Sequence, residues 1–351
     1  MSKRVRVGLI GAGANTRSRH IPGLQEIEGV EIVSVANRTP ESSRAVASEF
    51  SIPRTHGTWQ ELLADPEIDA VVIGTWPNTH CEMTCAALRA GKHVLTEARM
   101  ARNLAEARGM LAVSKEHPEL VARIVPSPFG LTCGPAVHQL IQNHFLGDLR
   151  EVVVLGASDQ FWDYSKPLHW RQDAEISGNN VLTLGILQET LLRWAPQAVQ
   201  VFALTELFEP TRPIPDESRF GNATVPDSVQ IVAELQGGAR AIYHFSGVIL
   251  FGPGTQIHLY GSRGTIKVNF INGEEQVFVG RAEDGELTCL EIPAEEQGKW
   301  QVEQDFIAAI RGTKKDKGGL NDFSTAIRYM EFLEAVARSA AENVPIELPL
   351  E

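Results

Sequence analysis

The sequence predicts two domains of different build: a doubly wound α/β domain, then an α+β domain around an open, mainly antiparallel sheet. Three observations carry this. Over the first third of the 351 residues, short continuous apolar runs alternate with amphipathic stretches, the rhythm of parallel strands covered on both faces by helices. After "VPSPFG" (125–130), several strand-like runs follow one another directly across Gly turns, the order of antiparallel hairpins. And "GAG" at 11–13 sits directly between the first strand and the first helix.

The elements follow in order. "VRVGLIG" is a first strand, "HIPGLQEI" a helix and "VEIVSVANR" a second strand. Pro40 opens the helix "ESSRAVASEF" at its first turn, where its missing N–H costs nothing. "WQELLADPEID" holds a short helix and "AVVIGT" a buried strand; "CEMTCAALRAG" is a helix with Gly91 just past its end. "KHVLTE" is a strand, Asn103 caps "LAEARGMLAVSKEH", and "LVARIV" is the sixth strand. Beyond it come the helix "PAVHQLIQNHFLG" and the strand "LREVVVLGA". The strands "SVQIVAEL", "ARAIYHFSGV", "QIHLYG" and "GTIKVNF" then form the antiparallel sheet, with helices at about 179–194, 300–311 and 322–342 covering one face. The domains are expected at 1–125 and 126–351, the last helix being able to pack back on the first. "RGTKKDKGG" (311–319) reads as a solvated loop.

Composition narrows the function. With 32 basic against 44 acidic residues the net charge is −12, which argues against a nucleic-acid or anionic-membrane surface but leaves room for a local phosphate pocket. The start reads as a strand and not a signal peptide, and no apolar run is long enough to span a membrane. Cys81, Cys85, Cys133 and Cys289 have no metal spacing, and no His/Glu cluster has it either, so reduced thiols, no metal and a cytoplasmic location are expected.

The glycine turn is the first chemical signal. Gly11 permits the tight turn, and Gly13 lets backbone N–H groups approach a pyrophosphate at the helix N-terminus, which makes the first domain a Rossmann dinucleotide-binding domain. The third fingerprint position is Thr16 instead of Gly or Ala, a change expected to loosen helix–strand packing. At the end of the second strand stand Asn37 and Arg38. Asparagine removes the charge that repels a 2′-phosphate and arginine can pair with one, so NADP is favoured, although Asn37 can also bond the 2′-hydroxyl of NAD.

The chain resembles the Gfo/Idh/MocA oxidoreductases, the family of glucose–fructose oxidoreductase and inositol dehydrogenase, through "GLIGAG", "GTWPNTHCEM", "ALRAGKHVLTEA", "LGDLREVVV", "HWRQD", "GILQETLLRW" and "IHLYGSRGTIKV". The resemblance implies a nicotinamide cofactor, an oligomer (a homodimer or homotetramer) built through the second-domain sheet, and a small-molecule substrate bound on the sheet's nucleotide-facing side. It also implies further cofactor-binding residues: Asn15, Thr75, Trp76 on the nicotinamide side, Asn78, His80 as a structural or cofactor-adjacent residue, Glu97 orienting a ribose or the strand end, and Ala98.

The resemblance also exposes a departure. Family members carry the lysine of a Glu-Lys-Pro motif, and an aspartate and a histidine four residues apart on one helix. Here those positions hold Ala98, Thr183 and Leu187, with Arg99 in place of the proline and Gly185 keeping the register. Arg99 cannot be a base, because a guanidinium stays protonated, but it can bind a carboxylate or enolate oxygen. Replacement acid/base groups are sought in "DQFWDYSKPLHWRQDAEISGNN" (159–180): His169 first, Tyr164 second, with Lys166 lowering the phenol's pKa. Arg171 and Thr183 join Arg99 as candidate substrate-binding residues. Gln188 and Glu189 are expected to turn away from the site, and His138 and His144 to lie on an ordinary surface.

These readings converge on an NAD(P)-dependent oxidoreductase acting on a sugar, cyclitol or derived acid with non-standard acid/base residues. Two others remain: a catalytically silent nucleotide-binding regulator, and a redox-assisted lyase, hydratase or glycosidase.

Overall fold

The computed structural model describes residues 4–214, 217–313 and 322–350; most of the loop expected at 311–319 lies outside them. The chain divides into two compact units, residues 1–126 with 301–327, and residues 127–300 with 328–351.

In the first unit, strands β1 (Val5–Ile10), β2 (Val30–Ala36), β3 (Arg54–Thr55), β4 (Ala70–Ile73), β5 (His93–Thr96) and β6 (Ala122–Ile124) form one sheet in the order β3-β2-β1-β4-β5-β6. Every pair in it is parallel. Val5, Val7, Leu9, Val71 and Val72 have no exposed surface, which is why these strands read as unbroken apolar runs. The order reverses beside β1, and the crevice for a ligand lies there, at the carboxyl ends of the strands.

The connecting helices are α1 (Ile21–Gln25), α2 (Pro40–Phe50), α3 (Trp59–Ala64), α4 (Pro77–Arg89) and α5 (Leu104–Glu116). The expected caps are present. Thr39 Oγ1 accepts from Ser42 N ahead of Pro40, and Asn103 Oδ1 accepts from Glu106 N at 2.9 Å. A π-helical turn, Thr16–His20, precedes α1. Residues 301–327, expected in the second domain, belong to this unit, and their helix Val302–Ile310 brings Glu303 to His20.

The second unit begins with α6 (Gly134–Gln142), β7 (Leu149–Ala157), α7 (Ala174–Ser177), α8 (Leu184–Leu191) and β8 (Ala198–Glu206). A small hairpin follows, β9 (Thr211–Pro213) with β10 (Phe220–Asn222). Then come β11 (Ser228–Leu235), β12 (Arg240–Ser246), β13 (Gly254–Gly261), β14 (Gly264–Ile271), β15 (Glu274–Arg281) and β16 (Thr288–Cys289). Helix α9 is the Val302–Ile310 segment already described; α10 (Phe323–Glu342) and β17 (Ile346–Glu347) end the chain. Nine strands make one sheet, β16-β15-β14-β13-β7-β12-β11-β8-β17, antiparallel throughout except where β7 meets β12.

Alternation along these strands sends one set of side chains inward. Ala203, Ile231, Ala241 and Tyr243 are buried, Tyr243 against Phe332 of α10 with its hydroxyl donating to Gln188 of α8 at 3.0 Å. The opposite face leaves Leu204, Val232 and Ile242 more than half exposed. The helix expected at 179–194 is shorter because the chain must turn before it. Gly178 and Leu182 have φ of 60° and 47°, and Asn180 Nδ2 donates to Ser177 O at 2.6 Å.

Candidate cofactor and substrate sites

The nucleotide turn is assembled from glycines at two strand ends. Gly11 has φ of +80°, and a Cβ there would lie 2.5 Å from Thr75 Cγ2. Gly13 is exposed, and a Cβ on it would meet nothing closer than Gly74 O at 3.6 Å, so its open side is free for a ligand. Thr16 does not loosen the packing. It is buried, its Oγ1 donates to Gly11 O at 3.3 Å, and Gly74 makes room for it: a Cβ on Gly74 would stand 2.1 Å from Thr16 Oγ1. The close approach of a third glycine in the turn has moved to the end of β4.

Asn37 holds this turn from the end of β2. Its Oδ1 accepts from Ala12 N at 2.7 Å, and its Nδ2 donates to Ser42 O at 3.1 Å. Arg38 is exposed, with its guanidinium carbon 5.8 Å from the centroid of Trp76. Trp76 therefore lies beside the residue expected to meet the 2′-phosphate.

The loop after β4 is tied to the turn after β5. Thr75 Oγ1 accepts from Thr79 Oγ1 at 2.7 Å. His80 has no exposed surface; Nδ1 lies 2.9 Å from Arg99 O and Nε2 3.1 Å from Thr75 O. Its ring is packed between the two loops, and burial pushes its pKa down, so the neutral ring donates to one of the two carbonyls. Asn78 Oδ1 is buried with no donor from the protein, an acceptor that a ligand can satisfy. Ala98 N donates to Glu97 Oε2 at 3.1 Å. Arg99 keeps only 5% of its surface exposed, so little of it is offered to a substrate.

Glu97 belongs to a buried cluster. Its Oε1 accepts from Asn15 Nδ2 and lies 3.0 Å from His20 Nε2, while His20 Nδ1 is 2.5 Å from Glu303 Oε1. Glu97 and Asn15, both expected near the cofactor, are thus joined to each other.

In the second unit, the loop 159–173 carries the candidate acid/base groups. It is pinned by Arg212, a buried side chain from β9 that donates to Asp163 O at 2.7 Å and to Phe161 O. His169 starts the short 3-10 turn Trp170–Gln172, its Nδ1 accepting from Arg171 N at 3.2 Å and its own N–H donating to Gln172 Oε1 at 3.1 Å. Burial, then Arg171, lowers its pKa. With Nδ1 occupied as an acceptor, the neutral ring carries its hydrogen on Nε2, which can donate a hydrogen bond.

Arg171 stacks on Trp170 at 4.1 Å, and burial lowers its pKa too. Tyr164 is 64% exposed and Lys166 is exposed. No hydrogen bond joins their side chains among the described residues, so the expected assistance of the phenol by Lys166 is not built into the loop. Thr183 precedes α8 and sits over Gly156 of β7, where a Cβ would be 2.7 Å from its Oγ1. Leu187, at the family histidine position, is fully buried. Gln188 and Glu189 are buried, and Glu189 accepts from Ser127 N and pairs with Arg193 at 2.8 Å.

Three contributors escaped the sequence reading. Gly74 was visible as a break in the apolar run "AVVIGT". His20 and Glu303 lie 283 positions apart and gave no local signal. Arg212 lies in a hairpin too short to show periodicity.

A reversed parallel sheet with a glycine turn at its switch point defines a dinucleotide-binding Rossmann domain, and the comparisons agree. The description "Oxidoreductase family, NAD-binding Rossmann fold" matches residues 5–123, and "GFO/IDH/MocA C-terminal domain" matches residues 135–267. The chain belongs to the Gfo/Idh/MocA oxidoreductase family. An uncharacterized oxidoreductase of Rhizobium meliloti, ORF334, is 30% identical over 58% of this chain and 60% of its own length. The 1,5-anhydro-D-fructose reductase of Ensifer adhaerens is 28% identical over 74% of each chain. Among solved structures, a levoglucosan dehydrogenase in complex with NADH and L-sorbose superposes with a TM-score of 0.86 at 21% identity, covering 99% of both chains.

Proposed function

We propose that this protein is an NAD(P)-dependent oxidoreductase of a small polar substrate, a sugar, cyclitol or derived acid, with acid/base residues other than the usual three. The observation that carries the reading is the nucleotide turn, kept open on the Gly13 side, closed beneath by Gly74 and Thr16, and held by Asn37 on Ala12 N. Such a built cradle fits a dinucleotide, which would supply hydride transfer. Gly11, Gly13, Asn37, Arg38, Trp76 and Asn78 would hold it. Similarity to a 1,5-anhydro-D-fructose reductase supports a sugar-like substrate.

NADP is the proposed nucleotide. Asn37 carries no charge, and the exposed Arg38 guanidinium, steadied by Trp76, suits a 2′-phosphate. His169 is the proposed acid/base residue, with Tyr164 second; Arg171 would bind an anionic or hydroxyl oxygen of the substrate. The exposed apolar stripe Leu204, Val232 and Ile242 supports a homodimer or homotetramer formed through that sheet face. A cytoplasmic location is in keeping with four free cysteines.

A second reading has its own support. Leu187 is sealed in the interior, Ala98 has no acid/base group, and Tyr164 has no partner among the described residues, as in a silent nucleotide-binding regulator. Incubation with NADP or NAD and a panel of sugars, cyclitols and sugar acids, followed by nicotinamide absorbance, separates the two. Turnover supports the enzyme; nucleotide binding with no turnover supports the regulator.

A further inference from the structure

We infer that His20 is a positioning residue: as an imidazolium it bridges Glu97 to Glu303 and so fixes the end of β5 and the side chain of Asn15 beside the nucleotide turn. The inference rests on the nucleotide reading above and adds to it a group that tunes the site from within.

The geometry demands the charge. The ring has no exposed surface, and each nitrogen faces a carboxylate, Nε2 at 3.0 Å from Glu97 Oε1 and Nδ1 at 2.5 Å from Glu303 Oε1. Ionised carboxylates only accept, so with both glutamates ionised the two bonds exist together only when both nitrogens carry protons. Burial works against a charged ring, but the hydrogen bonds to Glu303 and Glu97 outweigh it and raise the pKa to about 9. Glu97 is held below the usual carboxylate range: burial opposes this, and the bond from His20 overcomes it.

The bridge is built into the chain at both ends. Gly23 clears space for Glu303, since a Cβ there would lie 2.9 Å from its Oε2. Glu97 passes the constraint on, accepting from Asn15 Nδ2 with Oε1 and from Ala98 N with Oε2. The charged groups facing the ring are Glu97 from the end of β5 and Glu303 from α9. On the ring's own turn, Arg17 pairs with Glu49 at the surface and Arg19 is exposed. Loss of the proton leaves one bond unmade and two carboxylates sharing a neutral, buried ring. Whichever nitrogen keeps its proton, the bridge between the two glutamates is broken and the constraint that Glu97 passes to Asn15 and Ala98 is relaxed.

The test is a calorimetric titration of the full chain with NADH and NADPH from about pH 7 to about pH 10, with His20→Gln beside it and the wild-type histidine ring carbons followed by NMR. The expected result is a buried ring that titrates near 9, nucleotide affinity falling roughly fivefold or more through the same range, and a variant that binds weakly with a flat pH profile. A buried ring already neutral at neutral pH, or a folded variant with wild-type affinity and pH dependence, overturns the inference alone. If His20→Gln does not fold, the wild-type profile and the ring titration still decide. Wild-type protein that binds neither nucleotide at any pH overturns the nucleotide reading itself, which the ring titration does not touch.

Discussion

Thr16 and Gly74 occupy one space between them: Thr16 Oγ1 sits where a Cβ on Gly74 would be, 2.1 Å away, so neither position is read correctly without the other. Gly74→Ala should therefore strike Thr16 Oγ1 and also Gly11 O, 2.4 Å from the new Cβ. The side chain can rotate but the carbonyl cannot. A loss of about 1–3 kcal/mol is expected from the strain, seen as a lower melting temperature, together with at least tenfold weaker nucleotide binding. Thr16→Ala in the same chain should recover only part of it, because the clash with Gly11 O remains.

The two residues after β2 should separate the nucleotides. Arg38→Ala removes the one charge proposed for the 2′-phosphate, and should weaken NADPH binding roughly tenfold, about 1.4 kcal/mol, while leaving NADH nearly unchanged. Asn37→Asp keeps the acceptor for Ala12 N but adds a negative charge, and should move the preference toward NADH. Equal effects on both nucleotides would place Arg38 away from the 2′ position.

Stability should fall at alkaline pH. His20 has a folded pKa raised to about 9 from an ordinary 6.5. Its contribution is fully present below the lower value and is lost as pH rises through the higher. The span corresponds to about 3 kcal/mol. Urea unfolding followed across that interval should show the loss in wild type and not in His20→Gln.

The loop 159–173 makes a kinetic claim. His169→Gln should lower kcat about a hundredfold if the imidazole takes part in the rate-limiting proton transfer, and Tyr164→Phe should cost less. If both variants keep full activity, the replacement acid/base site lies elsewhere. Arg212→Met is a control on positioning: with Phe161 O and Asp163 O released, the loop should loosen, raising KM while nucleotide affinity stays put.

Much of this architecture was legible because its signals are local. Continuous apolar runs such as "AVVI" mark strands covered on both faces, and Asn103 and Pro40 announce the helices that follow them. What stayed hidden is set by distant partners. Leu182, in a left-handed conformation no sequence rule favours for leucine, delays the start of the expected helix. The parallel pairing of β7 with β12 joins segments some ninety residues apart inside an otherwise antiparallel sheet. The strands β16 and β17 and the hairpin around Arg212 are short, with little periodicity to read. In the site, the glycines were visible in the residues alone, and the expectation for Ala98, Thr183 and Leu187 came from the family resemblance. The partners of Glu97 and Asn37, and the company that Trp76 keeps, required the fold.

The proposed function depends above all on a working dinucleotide site at the glycine turn 11–13. Calorimetric titration of the purified protein with NADPH and NADH at neutral pH tests it most directly. Saturable binding at micromolar concentration or below, tighter for NADPH, is the predicted result. Absence of binding by either nucleotide would contradict it and remove the basis for redox chemistry in this chain.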